Sequence, residues 1–552
     1  MKKIILYISL LLLVSISATA QTPKKIKLID TEHLDGNENE IPGAVVFTGD
    51  VQFEHNGANI WCNKAYLFEK ENYAKLFGDV RIVQGDTIHL NSTYAEYNGN
   101  KDFAFASGNV VMKSPDMQLT TDTIYLDRKK QQAYYNSYGT IVSGDNTLTS
   151  KSGRYYIDQK KNQFLTTVTL TNPKYVLESN HLDYYTNSGH AYAFGPTTIT
   201  SEDNYIYTEK GFYDTKKNVS RLLTNSYIKY DTQLIEGDSI YYDRNIEFSS
   251  ITNNVKVTDT VNKYNVKGHY AEVYKQKDSL FITKHAVATT LVEKDSLYTH
   301  AKRIVITGKE GERVVRGYNN ARFYKTDMSG KCDSIHSSEL KGLTQLIGRP
   351  VVWNGDSQMT GDVIHMTSDS KTEQIDSLKV LNNAFIIQKD TLGTGYNQLK
   401  GRDLFGKFRD NKLSEVDLIK NTEKIYYMYN DDDELVGIDK GVSSKIKMKL
   451  KDNQIKSVRA IKKTESQSYP PSELPENVRK LRGFIWRGDE QIKNKEDIFP
   501  EEEKKLHEEI LKSSKALKEV EDKPMEIMQE TLDYDKNNPK EEPTKENEST
   551  TE

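Results

Sequence analysis

Ile88-His89-Leu90-Asn91-Ser92-Thr93-Tyr94-Ala95-Glu96-Tyr97 reads as two short strands that are out of phase. Leu90 and Ser92 are two residues apart, as are Ala95 and Tyr97, but three residues separate the pairs. Alternate side chains of an extended strand share a face, so the extra residue after the small position shifts the phase. The stretch therefore spells strand, corner, strand.

The same spelling, aliphatic, small, apolar, apolar, returns at Leu119/Thr121/Ile124/Leu126, Leu148/Ser150/Gly153/Tyr155 and Leu177/Ser179/Leu182/Tyr184. It continues through Ile206/Thr208/Gly211/Tyr213, Ile235/Gly237/Ile240/Tyr242 and Val266/Gly268/Ala271/Val273, with an upstream copy at Ile60/Cys62/Ala65/Leu67. The step is roughly thirty residues, the signature of a repeat architecture. Looser copies follow at Leu297/Thr299/Ile304, Ile335/Ser337/Leu340, Met359/Gly361/Ile364/Met366 and Leu399/Gly401/Leu404, at uneven intervals. A short run with a bend precedes the early copies, as in Ala74 to Ile82 and Ala104 to Met112, where Gly78-Asp79 and Gly108-Asn109 supply the turn chemistry.

A thirty-residue unit of short strands cannot bury its own apolar face and must stack on its neighbours. Each strand is expected to pair with its equivalent in the next unit, about 4.8 Å away. The expected fold is all-β: an elongated stacked β-jellyroll or β-solenoid, followed by a C-terminal helix and a disordered tail. Burying one Leu or Ile contributes roughly 1.5 to 3 kcal/mol, so a unit holds against its ordering entropy only between neighbours.

The ends and the composition set the compartment. Lys2 and Lys3, the apolar run Ile4 to Val14 and Ala18-Thr19-Ala20 have the parts of a secretory signal cleaved after Ala20. No lipobox cysteine follows it, and no other stretch is long and apolar enough to span a bilayer as a helix. The mature chain is expected to be exported to the periplasm. A net charge of -4 over 552 residues offers no basic stripe for phosphate backbones, so nucleic acid is not an expected partner. Cys62 and Cys332 lie too many turns apart for a disulfide and read as small core residues.

Residues 21–42 form a polar lead-in, 43–310 the regular repeats and 311–461 a second, less regular β-segment. Residues 462–499, with Pro470, Pro471 and Pro475, read as a linker or a segment capping a sheet edge. Residues 500–522 favour an exposed helix with a narrow stripe of Leu506, Ile510 and Leu517, and the acidic stretch 523–552 is expected to be disordered.

The usual catalytic spellings, from phosphate loops and dinucleotide fingerprints to paired cysteines and zinc-protease helices, do not occur. His285 and His300, like His181 and His190, fall on different strands or loops, where half-buried strand histidines are expected and ligands are not. Asp431-Asp432-Asp433-Glu434 lacks the glycine and alternation of a calcium loop and reads as a charged hairpin. Asp122, Asp183, Asp214 and Asp243 recur near corners once per repeat, as turn residues do. Tyr66, Tyr94, Tyr125, Tyr156, Tyr185, Tyr213, Tyr241 and Tyr270 form an aromatic row suited either to sugars or to cross-strand packing. No catalytic residue, metal ligand or cofactor site is expected.

Gly49-Asp50-Val51, Gly78-Asp79-Val80 and Gly108-Asn109-Val110, each followed by an aliphatic-x-small-x-x-apolar strand, give the chain its family likeness. It resembles the OstA/LptA family of lipopolysaccharide-transport proteins, well over residues 43 to 300 and more faintly to about 460. The resemblance implies a β-jellyroll folded like a taco, whose apolar interior shelters lipid acyl chains while the sugar headgroup stays in water. It also implies a bridge from the inner to the outer membrane, with related jellyroll proteins joined by strand addition at free edges. The chain is longer than a typical member, and the C-terminal membrane barrel that the LptD translocon would imply is not expected in it.

On this basis the expected lipid track is Ile60, Leu67, Leu90, Leu119, Ile124, Leu126, Leu148, Leu177, Leu182, Ile206, Ile235 and Ile240, the inward positions of successive copies. The expected partner is lipopolysaccharide or a similar amphipathic lipid, and the protein is expected not to be an enzyme. Two rival readings share the repeat: a carbohydrate-active parallel β-helix, and a structural surface solenoid with a dry interior. The same inward apolar ladder serves an open groove and a closed core.

Overall fold

Strand follows strand along this chain because the apolar residues recur at step two, and among the described residues the one α-helix stands where Glu, Lys and Leu take over. A computed structural model describes residues 25–36, 41–85, 88–115, 117–230, 232–259, 261, 264–292, 295–309, 311–369, 374–409, 412–451 and 454–521. The expected signal sequence and the tail from 523 lie outside these residues. The chain groups into two units, up to Leu223 and from Thr224.

The first unit opens with β1 (Lys27–Asp30) and β2 (His33–Asp35), then β3 (Val45–His55), β4 (Ala58–Phe68), β5 (Tyr73–Gln84), β6 (Ile88–Asn98), β7 (Phe103–Ser114) and β8 (Met117–Asp127). From β3 onward each strand pairs antiparallel with the next in sequence: Phe53 opposite Ile60, Ile60 opposite Ile82, Ile82 opposite Leu90 and Leu90 opposite Met112. This corrects the expected pairing of equivalents. The repeating copies β4, β6 and β8 are separated by β5 and β7, so one thirty-residue repeat is a hairpin of two strands and not one turn of a parallel helix. The all-β jellyroll class stands; its ladder is antiparallel.

Every one of these long strands is bent in its middle. Between Phe77/Tyr94 and Val80/Ser92, β5 holds Gly78 and Asp79 where β6 holds only Thr93, a two-for-one bulge. Both bulge residues are left-handed, with φ of 71° and 44°. A Cβ on Gly78 would lie 2.9 Å from the Asn63 side chain, and Asn63 Nδ2 donates to Asp79 Oδ2 at 3.2 Å. Gly49/Asp50 and Gly108/Asn109 repeat the conformation at the register shifts of β3 and β7. Farther along the unit the corner interrupts the strand outright, giving Asn146–Ser150 and then Ser152–Tyr156. Each strand thus serves two leaves. Residues 51–55, 58–62, 80–84 and 88–92 belong to the first leaf, and residues 45–48, 64–67, 73–77 and 94–98 to the second.

The second unit follows the same plan with different spelling. Asn253/Asn254, Asn319/Asn320 and Lys420/Asn421 are left-handed pairs at the register shifts of strands Phe248–Asp259, Val314–Lys325 and Lys412–Tyr429. Asparagine tolerates this region nearly as glycine does, because its short amide bonds locally to the backbone. The two longest strands, Lys412–Tyr429 and Leu435–Lys451, join through the acidic run, where Asn430 Oδ1 accepts from the N–H groups of Asp432 and Glu434. Cys62 and Cys332 occupy small inward positions as buried free thiols, pushed up by burial to about 11 and about 12.

After the terminal rungs Gln454–Ile461 and Glu465–Tyr469, the segment 470–499 turns back over the outer face of the first leaf. Leu474 and Leu481 are buried there against Phe385, Ile387, Ile425, Tyr427 and Ile438. Two buried glutamines hold its backbone. Gln398 donates to Arg479 O and accepts from Leu481 N–H, and Gln358 donates to Ile485 O and accepts from Arg487 N–H, all at 2.7 to 2.8 Å. An amide side chain carries a carbonyl and an N–H side by side, so each glutamine offers the strap what a neighbouring strand would. The strap leads to helix α1 (Glu501–Glu521), whose first turn holds three glutamates as its dipole favours.

Candidate functional site

The parity switch at the corner keeps apolar residues inward on both leaves. In the first unit Ile60 and Cys62 of one leaf and Ala65 and Leu67 of the other lie in one core with Phe53, Leu76, Ala95 and Ile124. The free edges opposite the corner also meet. Asn56 Nδ2 reaches Asp102 Oδ1 at 3.4 Å, Arg128 Nη2 donates to Asn56 O at 3.3 Å, and Ile26 N–H donates to Asn72 Oδ1 at 2.9 Å. Inside that seam, His55 and Tyr97 bond across the interior. The second unit has its own tie, an ion pair of 3.0 Å between Asp259 on the first-leaf edge and Arg313 on the second-leaf edge, both largely buried.

Farther along the second unit the two leaves line a common pocket. A cavity with an empty volume of about 660 Å³ opens between them. Met328, Val352, Met359 and Ile386 line it from the first leaf, and Leu378, Phe408, Leu413 and Met448 from the second. The three methionines provide flexible, polarizable walls that adapt to an apolar guest. Asn354 and Ser357 supply polar groups at its wall.

The expected track residues fall into separate groups. Ile60, Leu67, Leu90, Leu119 and Ile124 are buried in the tied core, and Leu126 packs half-buried against it. Leu148, Leu177 and Leu182 share a smaller core with Phe164, Val168 and Ala193, flanked by the half-buried Leu170, Tyr184 and Ile199. Ile206 is buried in the first unit, and Ile235 and Ile240 are buried in the second. None of the twelve lines the cavity. Of the cavity residues, only Met359 stands in a repeat copy read from the sequence; uneven spacing hid the rest.

The other candidates also find their places. Tyr66, Tyr94 and Tyr125 stand outward on the second leaf in a row completed by Phe77, Phe105 and Tyr134, with neighbouring ring centroids 5.0 to 6.4 Å apart. Tyr213 departs from the expected row: two residues from the inward Gly211 it shares that face, and it donates its phenol to Asn218 Oδ1. Of the four acids expected at corners only Asp122 is at one, opposite Gly108/Asn109. Asp214 and Asp243 cap hairpins, and Asp183 sits mid-strand. Burial alone raises the Asp183 carboxyl, but the His181 hydrogen bond and Lys161 outweigh it and the net shift is downward. Such scattered settings follow from local backbone and ion-pair needs. Among the described residues no group of three His, Cys, Asp or Glu side chains is placed to hold a metal ion, and no helix is long and apolar enough to cross a membrane.

Two bent antiparallel leaves with apolar inner faces define a folded-over β-jellyroll. Residues 23–180 match the family model described as OstA-like protein, so this stretch of the chain is OstA-like. Among solved structures the chain is similar to LptH of Pseudomonas aeruginosa, titled the LptA-homologous periplasmic component of a lipopolysaccharide transport device. That likeness has 16% identity, covers 19% of this chain and 81% of the other, and has a TM-score of 0.19. No curated protein matches the chain.

Proposed function

We propose that this is a non-enzymatic periplasmic protein of the lipopolysaccharide-transport type that holds the acyl chains of an amphipathic lipid between its leaves. The observation that carries the reading is the cavity between Met359 and Ile386 on one leaf and Leu378 and Phe408 on the other. An acyl chain gains about 0.8 kcal/mol per buried methylene, while a charged headgroup stays in water. The OstA-like match of residues 23–180 supports the same class of function for the first unit. There, lipid passing along Ile60, Leu90 and Leu119 requires Asn56 and Asp102 to separate. The terminal rungs at 454–461 and 465–469 suit strand addition by a related jellyroll protein, the mode in which main-chain hydrogen bonds supply affinity.

The test is photocrosslinking in cells producing the full chain, with a benzophenone side chain at Met359 or Leu378 and a control at the exposed Val436. Lipopolysaccharide or another acylated lipid is expected on the first two and not on the control. Equal labelling at all three positions, or none at Met359 and Leu378, overturns the reading.

A further inference from the structure

Four of the eleven histidines meet where helix α1 lies on the second unit. His507 of α1 stacks on His285, with centroids 4.3 Å apart and planes within 5°, and Phe499 covers the other face of His285 at 3.7 Å. His507 Nδ1 lies 2.7 Å from Nε2 of His269 in strand Tyr264–Tyr274. His300 is fully buried, with Phe499 at 5.1 Å and Glu503 Oε1 3.8 Å from its Nε2.

The hydrogen bonds assign the tautomers. His269 Nδ1 accepts from Asn254 N–H at 3.3 Å, so Nε2 carries its proton and donates to His507 Nδ1. His300 Nδ1 donates to Ala286 O at 2.8 Å. A second proton on His269 sets a donor against the Asn254 N–H, and a second proton on His507 sets a donor against His269 Nε2–H. Protonation of His507 therefore breaks the hydrogen bond that joins the helix to the sheet, protonation of His269 breaks the bond within the sheet that orients its ring, and each adds positive charge within a few ångströms of its neighbours. The parallel rings of His285 and His507 have no common plane in which both could ligate one metal ion.

We propose that this four-histidine contact is an acid-released latch, which holds helix α1 and Phe499 on the sheet when the rings are neutral and frees them when the rings are protonated. The surrounding charges do not neutralise four imidazolium ions. Asp238 faces His269, Glu503 faces His300 and the His285 backbone, and Glu508 adjoins His507, but Lys284, Lys302 and Arg322 stand among them. Burial, which favours the uncharged ring, is the largest influence on all four. It places His269 and His300 at about 4 and His285 at about 3, and it lowers His507 as well. These folded values lie below the ordinary 6.5. The docked state is therefore at full strength above about pH 6.5 and weakens as the pH falls toward about 4.

Hydrogen exchange on the full chain tests the latch, with rates corrected for intrinsic chemistry. Protection of residues 495–515 should fall about tenfold or more between about pH 7.5 and about pH 5, while peptides from 412–451 hold theirs. Unchanged protection at 495–515, or a loss that begins only below about pH 4, overturns the latch. The double substitution His269→Gln, His507→Gln keeps a hydrogen-bonding pair that does not titrate, and it should remain protected at the lower pH. A pH response like that of the unsubstituted chain overturns the proposal. Should the double variant fail to dock even near neutrality, the slope of protection against pH in the unsubstituted chain decides: about two or more protons per release supports the latch, and one or fewer overturns it.

Discussion

His55 and Tyr97 stand on opposite leaves of the first unit, and the imidazole Nδ1 lies 2.5 Å from the phenol oxygen across a buried interior. Two strands, β4 and β5, lie between them in the ladder, so the bond joins the leaves and not neighbouring rungs. It sits just inside the Asn56–Asp102 contact and ties the seam from within.

Tyr97→Phe removes that bond while keeping the ring. It should lower stability by about 1 to 2 kcal/mol, the usual loss when a buried polar group loses one partner. Urea unfolding checks this. If lipid enters by separation of the leaves, the same variant should also take up a fluorescent acyl probe faster.

Met359→Trp fills part of the cavity with a rigid indole. Binding of an acylated probe should weaken about tenfold or more, and stability should change by less than about 1.5 kcal/mol because the added atoms enter empty space. Titration with a fluorescent fatty acid, beside a thermal melt, separates these effects. Unchanged affinity would place the lipid elsewhere.

Gly78→Ala forces a Cβ into left-handed backbone and toward Asn63, and should destabilise by about 1 to 3 kcal/mol. Asn320→Gly, at the corresponding corner of strand Val314–Lys325, relieves a left-handed asparagine and should be neutral or slightly stabilising. Denaturation midpoints of the two variants compare corners spelled differently.

Glu490 is held at about 2 by its hydrogen bonds with Arg487, which outweigh the effect of burial, and by Lys331. Its folded value is below the ordinary 4.5, so its contribution to strap docking is complete above that pH and is lost as the pH falls toward about 2. Glu490→Gln should weaken the strap near neutrality and have no further effect in strong acid. Proteolysis of 474–498 at several pH values reads this window, which lies below that of the histidines.

The sequence spells out those parts of the fold that obey local rules. The phase slip between Ser92 and Ala95 is the bend itself, and Gly78-Asp79 marks the bulge because few other residues take that backbone without strain. Asn253-Asn254 and Asn319-Asn320 carry the same conformation, and their turn chemistry was readable, but asparagine pairs are common enough to pass unnoticed. The antiparallel order was hidden because inward spacing is the same whether a strand meets its neighbour or its equivalent. The cavity could not be read at all. Leu378 and Met359 look like any inward apolar residues, and only the pocket left between the leaves makes them a lining. The histidine contact joins positions 269 and 507, a distance in sequence that no periodicity bridges.

The strap over Gln358 and Gln398 has a consequence for synthesis. Phe385, Ile425 and Ile438 emerge from the ribosome well before Leu474 and Leu481, which cover them. During that interval a sheet with two apolar faces is only half clothed. A chain interrupted near residue 465 would carry a sticky flank that the full-length product never displays, so a chaperone with affinity for extended apolar strands would discriminate between the two.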